Sequence, residues 1–115
     1  MFHQQGDLRK RTFQLGRRVA KLFVALPRNR LAQIYGEQLV RSANSVGANY
    51  REAQRGRSPA EYRAKLGDCL READEALYWP EYLEADCCFP PERLTDLKTE
   101  TDELIAIFVT LLKSR

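Results

Sequence analysis

Residues 38–53, with the sequence QLVRSANSVGANYREA, form the stretch around which the rest of the chain has to pack. Counted from residue 32, seven residues follow one another at alternating steps of three and four positions, which places them on one face of a helix. That face consists of Ala32, Tyr35, Leu39, Ser42, Val46, Asn49 and Ala53. Small residues beside the face allow neighbouring helices to approach closely, and its polar members need hydrogen-bond partners if they are buried. The stretch therefore predicts a central helix in a helical fold.

Local signals divide the chain into four helices joined by short turns. Pro27 is expected to end the first helix, and Asn29 to cap the second. The third begins at Ser58-Pro59-Ala60-Glu61, which combines a capping hydroxyl, a proline at the first helical position and a glutamate that can reach back to the cap. Because short turns force neighbouring helices to run in opposite directions, we predict an all-α, antiparallel up-down four-helix bundle. Its single domain covers residues 1–115, with helices over about 7–26, 30–54, 59–85 and 91–113.

The third helix contains a proline in its interior. Pro80 has no backbone N–H and its ring collides with the preceding turn, so we expect a kink near Ala76. The neighbouring pair Tyr78-Trp79 is interpreted as part of the core, because aromatic residues at helical spacing are usually buried. A platform on which nucleic-acid bases stack is the alternative.

The composition is that of an ordinary folded domain without a membrane segment. With 43% hydrophobic and 30% charged residues over 115 positions, the chain can build one modest core. No apolar run reaches the roughly 18 residues that cross a bilayer. Residues 1–12 contain no apolar secretory core. We therefore expect a cytoplasmic protein with no membrane partner.

The sequence lacks the patterns of the common catalytic and metal sites. Cys69, Cys87 and Cys88 do not have the spacing of metal ligands, and no predicted helix contains a histidine that could join carboxylates around a metal. There is also no glycine-rich phosphate loop, and no Ser-His-Asp or Cys-His set. The sequence therefore predicts a protein that is not an enzyme and that uses no metal and no cofactor.

Charge is distributed unevenly between the two halves of the chain. Residues 1–57 contain 12 Lys and Arg against 3 Asp and Glu, a net charge of +9. Residues 58–115 contain 7 against 13, a net charge of −6. In an antiparallel bundle the basic helices can simply neutralise the acidic ones. The alternative is a basic face that is exposed to a polyanion.

Two groups of cations are candidates for contact with nucleic-acid phosphates. Helical spacing places the first group on one face of the first helix, and the second group gathers at the turn between the second and third helices. The candidates are Lys10, Arg17, Arg18 and Lys21 on the helix, and Arg51, Arg55 and Arg57 at the turn. A turn that is merely solvated is the alternative for the second group. Because the sequence contains no recognised motif for reading a duplex groove, weak sequence selectivity is expected.

An ion pair is predicted between the second and third helices. Antiparallel helices of equal rise place Arg41 opposite Glu72, in a register that also places Ser45 opposite Asp68, within about one helical turn. We interpret Arg41 and Glu72 as a structural pair, and removing one partner of such a pair when it is buried costs about 3–5 kcal/mol. A catalytic carboxylate cluster of Asp68, Glu72 and Glu75 is the alternative.

The first and last helices carry more apolar surface than one bundle can bury. The apolar side of the first helix extends over about 200°. On the last helix, a single residue among positions 104–112 is polar. This excess predicts that copies of the chain associate, with Phe13, Val24 and Ile107 in the contact.

The central stretch and the helix after it also resemble a known family. The positions that carry the resemblance are Arg41, Ser42, Ala43, Ser45, Val46, Ala48, Asn49, Glu52, Ala53, Ser58, Glu61, Tyr62, Lys65, Leu66, Glu72, Ala73, Glu75, Tyr78 and Trp79. In this spacing, and over about residues 13–112, the chain is similar to the bacterial four-helix-bundle proteins called 23S rRNA intervening-sequence proteins. Pro80 departs from that pattern, because relatives usually carry a leucine-like residue after Tyr-Trp.

The resemblance implies a four-helix bundle that assembles into a ring-like homopentamer. It also implies a relation to accessory proteins of diversity-generating retroelements, which bind nucleic acid and a reverse transcriptase. The leading hypothesis is a non-catalytic homo-oligomer that binds RNA or DNA through backbone phosphates. The alternative is an adaptor that docks a partner protein such as a reverse transcriptase without touching nucleic acid. A third possibility is a stable by-product of a mobile insertion with no selected ligand.

Overall fold

The computed structural model describes residues 2–114, with side chains from residue 8 to residue 114. Over this part of the chain the fold is all-α, which confirms the predicted fold class and the number of helices. The helices are α1 (Phe2–Val24), α2 (Arg30–Gln54), α3 (Pro59–Asp86) and α4 (Thr95–Lys113), with a short 3-10 helix at Pro91–Arg93. None of these helices is long and apolar enough to cross a membrane.

Two helix boundaries differ from those predicted. Helix α1 begins at Phe2 and not near residue 7, so Gly6 and Asp7 lie within the helix, and it ends at Val24 and not at residue 26. Beyond its end, the N–H of Ala25 donates to the carbonyl of Leu22 at 3.0 Å, which tightens the last turn. Helix α4 begins at Thr95 and not at residue 91, because the segment after the second proline forms the 3-10 helix instead.

The capping signals of α2 and α3 are confirmed. The Asn29 side chain accepts a hydrogen bond from the N–H of Ala32 at 2.9 Å. The Ser58 hydroxyl accepts one from the N–H of Glu61 at 3.1 Å, while the Glu61 carboxylate reaches back to the N–H of Arg57 at 2.9 Å. Each of these bonds satisfies a backbone donor that a helix start would otherwise leave unpaired. Local chemistry therefore determines where the two longest helices begin.

The helices form a rod of 45 × 21 × 19 Å in which consecutive helices run in opposite directions. Helix α2 is central, since it packs against both α1 and α3, and α4 closes the bundle against α3 and α1. The antiparallel course is visible along the α1–α2 contact. There, Gly16 lies beside Asn44, whereas Gly36 lies beside Phe23 and Leu26.

The core between the helices is apolar, with a few buried hydroxyl groups. Tyr50 and Phe108 are its largest fully buried side chains, and their ring centroids are 6.4 Å apart. The hydroxyls of Thr12, Ser42 and Thr101 are buried, and each donates to the carbonyl four residues earlier in its own helix, at 2.7, 3.0 and 2.7 Å. These three hydroxyls are therefore satisfied within their own helices.

Helix α3 continues through Pro80, which is buried, and ends at Asp86. Just after its end, Cys88 has a φ of 56°, in the left-handed region, and the N–H of Phe89 donates to the carbonyl of Leu83 at 3.1 Å. This is the usual way in which a helix end satisfies its last carbonyls, although glycine is the residue that adopts this conformation most easily.

Candidate nucleic-acid interface

The outer side of α1 carries a ridge of exposed cations. We define the basic ridge as Lys10, Arg17, Arg18 and Lys21, which helical spacing places near one another and which are all exposed. The sequence contributes no counter-charge nearby, because residues 8–36 contain no Asp or Glu. The ridge is therefore a concentrated positive surface along one side of the rod.

Six of the fourteen cations outside this ridge whose side chains the structure describes are paired with carboxylates of the same chain. Among the described residues, the cations with a carboxylate oxygen within 4.0 Å are Arg11, Arg41, Arg57, Lys65, Arg71 and Lys98. The basic ridge has no such contact in the described part of the chain. The guanidinium of Arg18 donates to the backbone carbonyl of Asp96 at 3.2 Å, which leaves its charge uncompensated.

Arg11 shows the contrast within a single helix. It follows Lys10 in α1 but points to α4, where its Nε and Nη2 donate to the two carboxylate oxygens of Glu100 at 2.9 and 2.6 Å. A further bond from Nη2 reaches Glu103 at 2.9 Å. The hydrogen bond to Glu100 is the main cause of a raised pKa for Arg11. Arg11 thus ties α1 to α4 and is unavailable to a ligand.

The cations of the α2–α3 turn are divided between two places. Arg51 lies on α2 facing α1, where its guanidinium carbon is 5.8 Å from the centre of the Phe13 ring. Arg55 and Arg57 are exposed at the end of the rod, and Arg57 has only a long contact of 3.9 Å with Glu61. The structure therefore brings Arg51 to α1 and leaves Arg55 and Arg57 at the end of the bundle.

A groove with a volume of about 370 Å³ runs between α1 and α2 beside the basic ridge. We call it the α1–α2 groove. Its lining combines an aromatic ring, two arginines, an amide and several small residues, namely Thr12, Phe13, Gly16, Arg17, Ala20, Asn44, Gly47, Ala48 and Arg51. The sequence predicted three of these as functional residues, Phe13, Arg17 and Arg51, but not that they would share one groove.

Arg41 lies at the surface of the α2–α3 contact. Its Nη1 is 3.5 Å from Glu72 Oε1, and its Nη2 donates to Glu75 Oε1 at 2.7 Å. The Arg41 side chain is 50% exposed, so the cost of removing it is smaller than for the buried pair considered above. Glu72 and Glu75 therefore both contact a cation of the same chain.

The helix register is shifted by about two residues from the predicted one, which lies within the predicted margin of about one helical turn. The predicted register, with Ser45 opposite Asp68, would place Val46 opposite Gly67, whereas the carbonyl of Val46 accepts from the thiol of Cys69 at 3.6 Å. A side chain at Gly67 would meet nothing within 4 Å, so this position faces open space. The shift arises because the chain makes a further helical turn after α2 ends at Gln54. In that turn the N–H of Gly56 donates to the carbonyl of Ala53 at 3.0 Å.

The residues predicted to join subunits have different environments. Phe13 is 51% exposed and Val24 is 84% exposed, so their apolar surface is open in the single chain. Ile107 is half-buried and packs against the core, which leaves less of it for a partner. Sequence reasoning did not select Leu31 and Ile34, each 40% exposed. The available signal was that both are apolar yet lie outside the regular face of α2.

Aromatic side chains form a second surface cluster where α2 and α3 meet. The rings of Tyr35 and Tyr82 stack with centroids 4.7 Å apart, and the hydroxyls of Tyr78 and Tyr82 are 2.6 Å apart. Trp79 packs against the core, as predicted, but Tyr78 is 46% exposed. The buried indole N–H of Trp79 has no acceptor among the described residues. The Tyr78-Trp79 pair therefore belongs partly to the core and partly to the surface.

The three thiols do not combine into a metal site. Cys69 and Cys87 are buried and Cys88 is exposed, and the part of the chain with described side chains holds no cluster of three potential metal ligands. Burial raises the pKa of the Cys69 thiol to about 12. Buried, protonated thiols are poor nucleophiles and poor ligands, so Cys69 is a core residue.

Comparison with known proteins agrees with this architecture. The family of 23S rRNA-intervening sequence proteins matches residues 4–110. The chain belongs to this family. The match covers all four helices, so the family relationship applies to the whole bundle and confirms the resemblance noted from the central stretch. No curated protein matches the chain by sequence.

A solved structure shares the fold of this family member. It is a crystal structure of a protein of unknown function from the S23 ribosomal protein family of Bacteroides thetaiotaomicron VPI-5482. The two chains superpose with a TM-score of 0.88 at 25% sequence identity, over 96% of this chain and 98% of the other. The four-helix arrangement is therefore common to both proteins, while a biochemical role has to be argued from the surface of this chain.

Proposed function

We propose that this family member is a non-catalytic, homo-oligomeric bundle that binds nucleic acid through the basic ridge on α1, together with Arg51, Arg55 and Arg57. The observation that carries the proposal is the concentration of four exposed cations on one side of α1, none with a carboxylate within 4.0 Å among the described residues, whereas Arg11 of the same helix is paired with Glu100. Cations that are not neutralised within the fold keep their charge for an external polyanion.

Binding of this kind acts through phosphates. Each ridge cation that approaches a phosphate releases condensed counterions, so affinity falls steeply with salt and depends little on sequence. If four ridge cations engage a single strand, the slope of log affinity against log salt is about −3, which is roughly a 50-fold loss between 50 and 200 mM salt. Several copies in one assembly would add avidity to this modest surface.

The test is fluorescence anisotropy with labelled RNA and DNA oligonucleotides over that salt range. An affinity that does not change with salt would refute phosphate binding. The variant Arg17→Glu/Lys21→Glu should lose at least about 100-fold in affinity, because two contacts become repulsions. Lys65→Glu/Arg71→Glu makes the same change in net charge on α3, where both cations already contact Asp68, and it should change affinity by less than about threefold.

Self-association belongs to the same proposal, with a ring-like pentamer as the expected assembly. Its support is the open apolar surface of Val24 and of the α2 residues Leu31 and Ile34, which a second copy would cover. Sedimentation of the purified chain at micromolar concentration measures this directly. A stable monomer would refute the assembly but not the phosphate contact, which a monomer can make with lower affinity.

A second candidate function is a protein-interaction adaptor, for example for a reverse transcriptase. The observation that favours it is the partly exposed aromatic cluster around Tyr35, Tyr78 and Tyr82. On the same helix contact, Arg41 is paired with Glu75 and does not offer a free charge to nucleic acid. Exposed tyrosines are frequent anchors of protein contacts. Purification without nucleic acid, together with loss of partner capture in Tyr78→Ala, would favour this function over the first.

A further inference from the structure

We infer that Phe13 is a stacking platform for an unpaired base of a single-stranded nucleic acid, and that Arg17 and Arg51 hold the phosphates on either side of that base. The inference rests on the proposed function and makes it more specific, because it names the form of nucleic acid and the groove that receives it. It also removes Phe13 from the predicted subunit contact and leaves Val24 there.

The Phe13 ring lies at the surface of the bundle. An aromatic side chain on a bundle helix normally turns into the core, but Phe13 is 51% exposed and lies on the side of α1 that faces the α1–α2 groove. Its near neighbour in the sequence, Leu15, is buried. The guanidinium carbon of Arg51 lies 5.8 Å from the centre of the ring, and about half of the side chain remains open to solvent. The ring therefore offers a flat apolar face in the middle of a basic surface.

The charge around the ring is positive. Arg17 and Arg51 line the same groove as Phe13, one from α1 and the other from α2, and neither has a carboxylate within ion-pair distance among the described residues. A single strand alternates flat bases with charged phosphates. A ring with the Arg51 guanidinium over it and Arg17 beside it, neither paired with a carboxylate among the described residues, matches that alternation, and this combination is how single-strand-binding proteins bind without sequence preference.

Open space lies beside the ring. The groove has a volume of about 370 Å³, and its lining includes Gly16, Gly47 and Asn44. The Asn44 amide packs against Gly16, where a side-chain carbon would lie 2.5 Å from Asn44 Oδ1. This amide makes no hydrogen bond within the described chain, so it is free to contact the polar edge of a base.

These features select an unpaired base over a duplex. In a duplex both faces of every base are already stacked, and a ring on a helix surface cannot reach them unless the base is extruded. A recessed groove between two helices also presents no element that could enter a major groove. The exposed ring would then contribute nothing to duplex binding, which would depend on the basic ridge alone.

The test compares single-stranded and duplex oligonucleotides of equal length by fluorescence anisotropy, using uridine and thymidine 12-mers and a mixed-sequence duplex. Phe13→Ala and Phe13→Leu should each weaken single-strand binding by about 5- to 150-fold, the loss expected from one stacked base, and change duplex binding by less than twofold. Phe13→Trp should restore single-strand affinity. Tyr78→Leu, which removes an exposed aromatic ring of α3 outside the groove, should leave the affinity unchanged.

A second readout reports stacking directly. In the Phe13→Trp variant, single strands should quench the indole emission, whereas the single natural tryptophan, Trp79, lies in the other helix contact and should not respond. Wild-type affinity in Phe13→Leu, or equal losses for single strand and duplex, would overturn the inference.

The proposed function fails separately. If Phe13→Leu binds normally but Arg17→Glu/Lys21→Glu does not, phosphate binding stands and the stacking platform is refuted. If no oligonucleotide binds the wild-type chain, both are refuted. If Phe13→Ala instead dissociates the oligomer in sedimentation, Phe13 belongs to the contact between copies, or to a docked helix, and the stacking inference is wrong.

Discussion

The two neighbours of α2 are held against it in different ways. On the α3 side, ion pairs cross the contact, with Arg41 bound to Glu72 and Glu75, and Lys65 bound to Glu52 at 2.6 Å. On the α1 side, no ion pair crosses within the described residues. There, glycines allow the helices to approach closely. One contact is neutralised by charge pairing, and the other is close-packed and leaves its cations free.

The cause lies in the residues that α2 turns toward each neighbour. Helix α2 contains only two acidic residues, Glu37 and Glu52, and Glu52 is paired with α3. Toward α1 it presents small or neutral residues such as Asn44, Gly47 and Ala48. The cations of α1 can therefore be compensated only from α4, as Arg11 is, or from outside the chain. The placement of the few acidic residues of α2 thus explains why its contact with α3 is charge-paired while the cations beside its contact with α1 stay available for a ligand.

The largest expected effect is the slow reaction of a thiol that is buried in the α2–α3 contact. Cys69 is fully buried there with its pKa raised to about 12, against an ordinary value of 9.0, so its thiolate population at pH 8 is about 1000-fold lower than that of a free thiol. In a Cys87→Ser/Cys88→Ser background, a thiol reagent should label Cys69 about 1000-fold more slowly than it labels Cys88 in the wild type.

The α1–α2 groove provides the matched comparison. Ala48→Cys in a chain without the natural cysteines should react as fast as an exposed thiol, because Ala48 is exposed in the groove. Equal rates at Cys69 and at position 48 would mean that the two contacts do not differ. The same burial makes stability fall as pH rises above about 9, where the unfolded thiol ionises and the native one does not.

Close packing of α1 against α2 gives the next effect. An alanine side chain at Gly36 would lie 2.5 Å from Leu26 Cδ1 and 2.8 Å from Phe23 Cδ1, so Gly36→Ala should destabilise the fold by about 1–3 kcal/mol through overpacking. Gly67 on α3 is the control, because nothing lies within 4 Å of an added side chain there. Gly67→Ala should stabilise by about 0.5–1 kcal/mol through helix propensity. Urea denaturation measures both, and the same sign for the two variants would contradict the comparison.

The fold could be predicted from the sequence where local chemistry decides the outcome. Asn29 and Ser58 fix the starts of α2 and α3 through bonds to residues three positions away, and the seven-residue spacing identifies the buried face of α2. The start of α1 was wrong because residues 2–6 carry no strong local signal. The register between α2 and α3 was about two residues off, since it depends on how the chain coils around Gly56, which spacing does not encode.

The candidate site was predictable in its members but not in their grouping. Helical spacing finds that Lys10, Arg17, Arg18 and Lys21 share one face, but it treats Arg11 as another surface cation. Only the position of Glu100 on α4 shows that Arg11 is paired. In the same way, helical spacing identifies Phe13 only as part of the surplus apolar surface of α1. Its contact with Arg51 depends on how α1 packs against α2. Long-range neighbours decide which charges are free.

The pair formed by Arg11 provides a test within α1 itself. Arg11→Gln should cost about 1–2 kcal/mol of unfolding free energy, because it breaks a bidentate contact between partly buried groups and leaves Glu100 without a partner. Lys10→Gln, one residue earlier and unpaired in the described chain, should cost less than about 0.5 kcal/mol. Urea unfolding distinguishes them. Nucleic-acid affinity should respond in the opposite order, falling for Lys10→Gln and changing little for Arg11→Gln. Equal stability losses would mean that pairing does not separate the two cations.

The smallest effect is expected at the ion pairs of the α2–α3 contact. Arg41 is half exposed, and its contact with Glu72 is 3.5 Å long, so water screens much of the attraction. Arg41→Gln should therefore destabilise the fold by about 1 kcal/mol or less, and the loss should shrink further in about 0.5 M NaCl.

Glu72→Gln should be nearly neutral, because one of its buried oxygens has no hydrogen bond and a neutral amide costs less to bury than a carboxylate. A double-mutant cycle at both positions isolates their coupling. A coupling of about 3 kcal/mol that resists salt would show a buried pair, and the α2–α3 contact would then depend on charge much more than its exposure indicates.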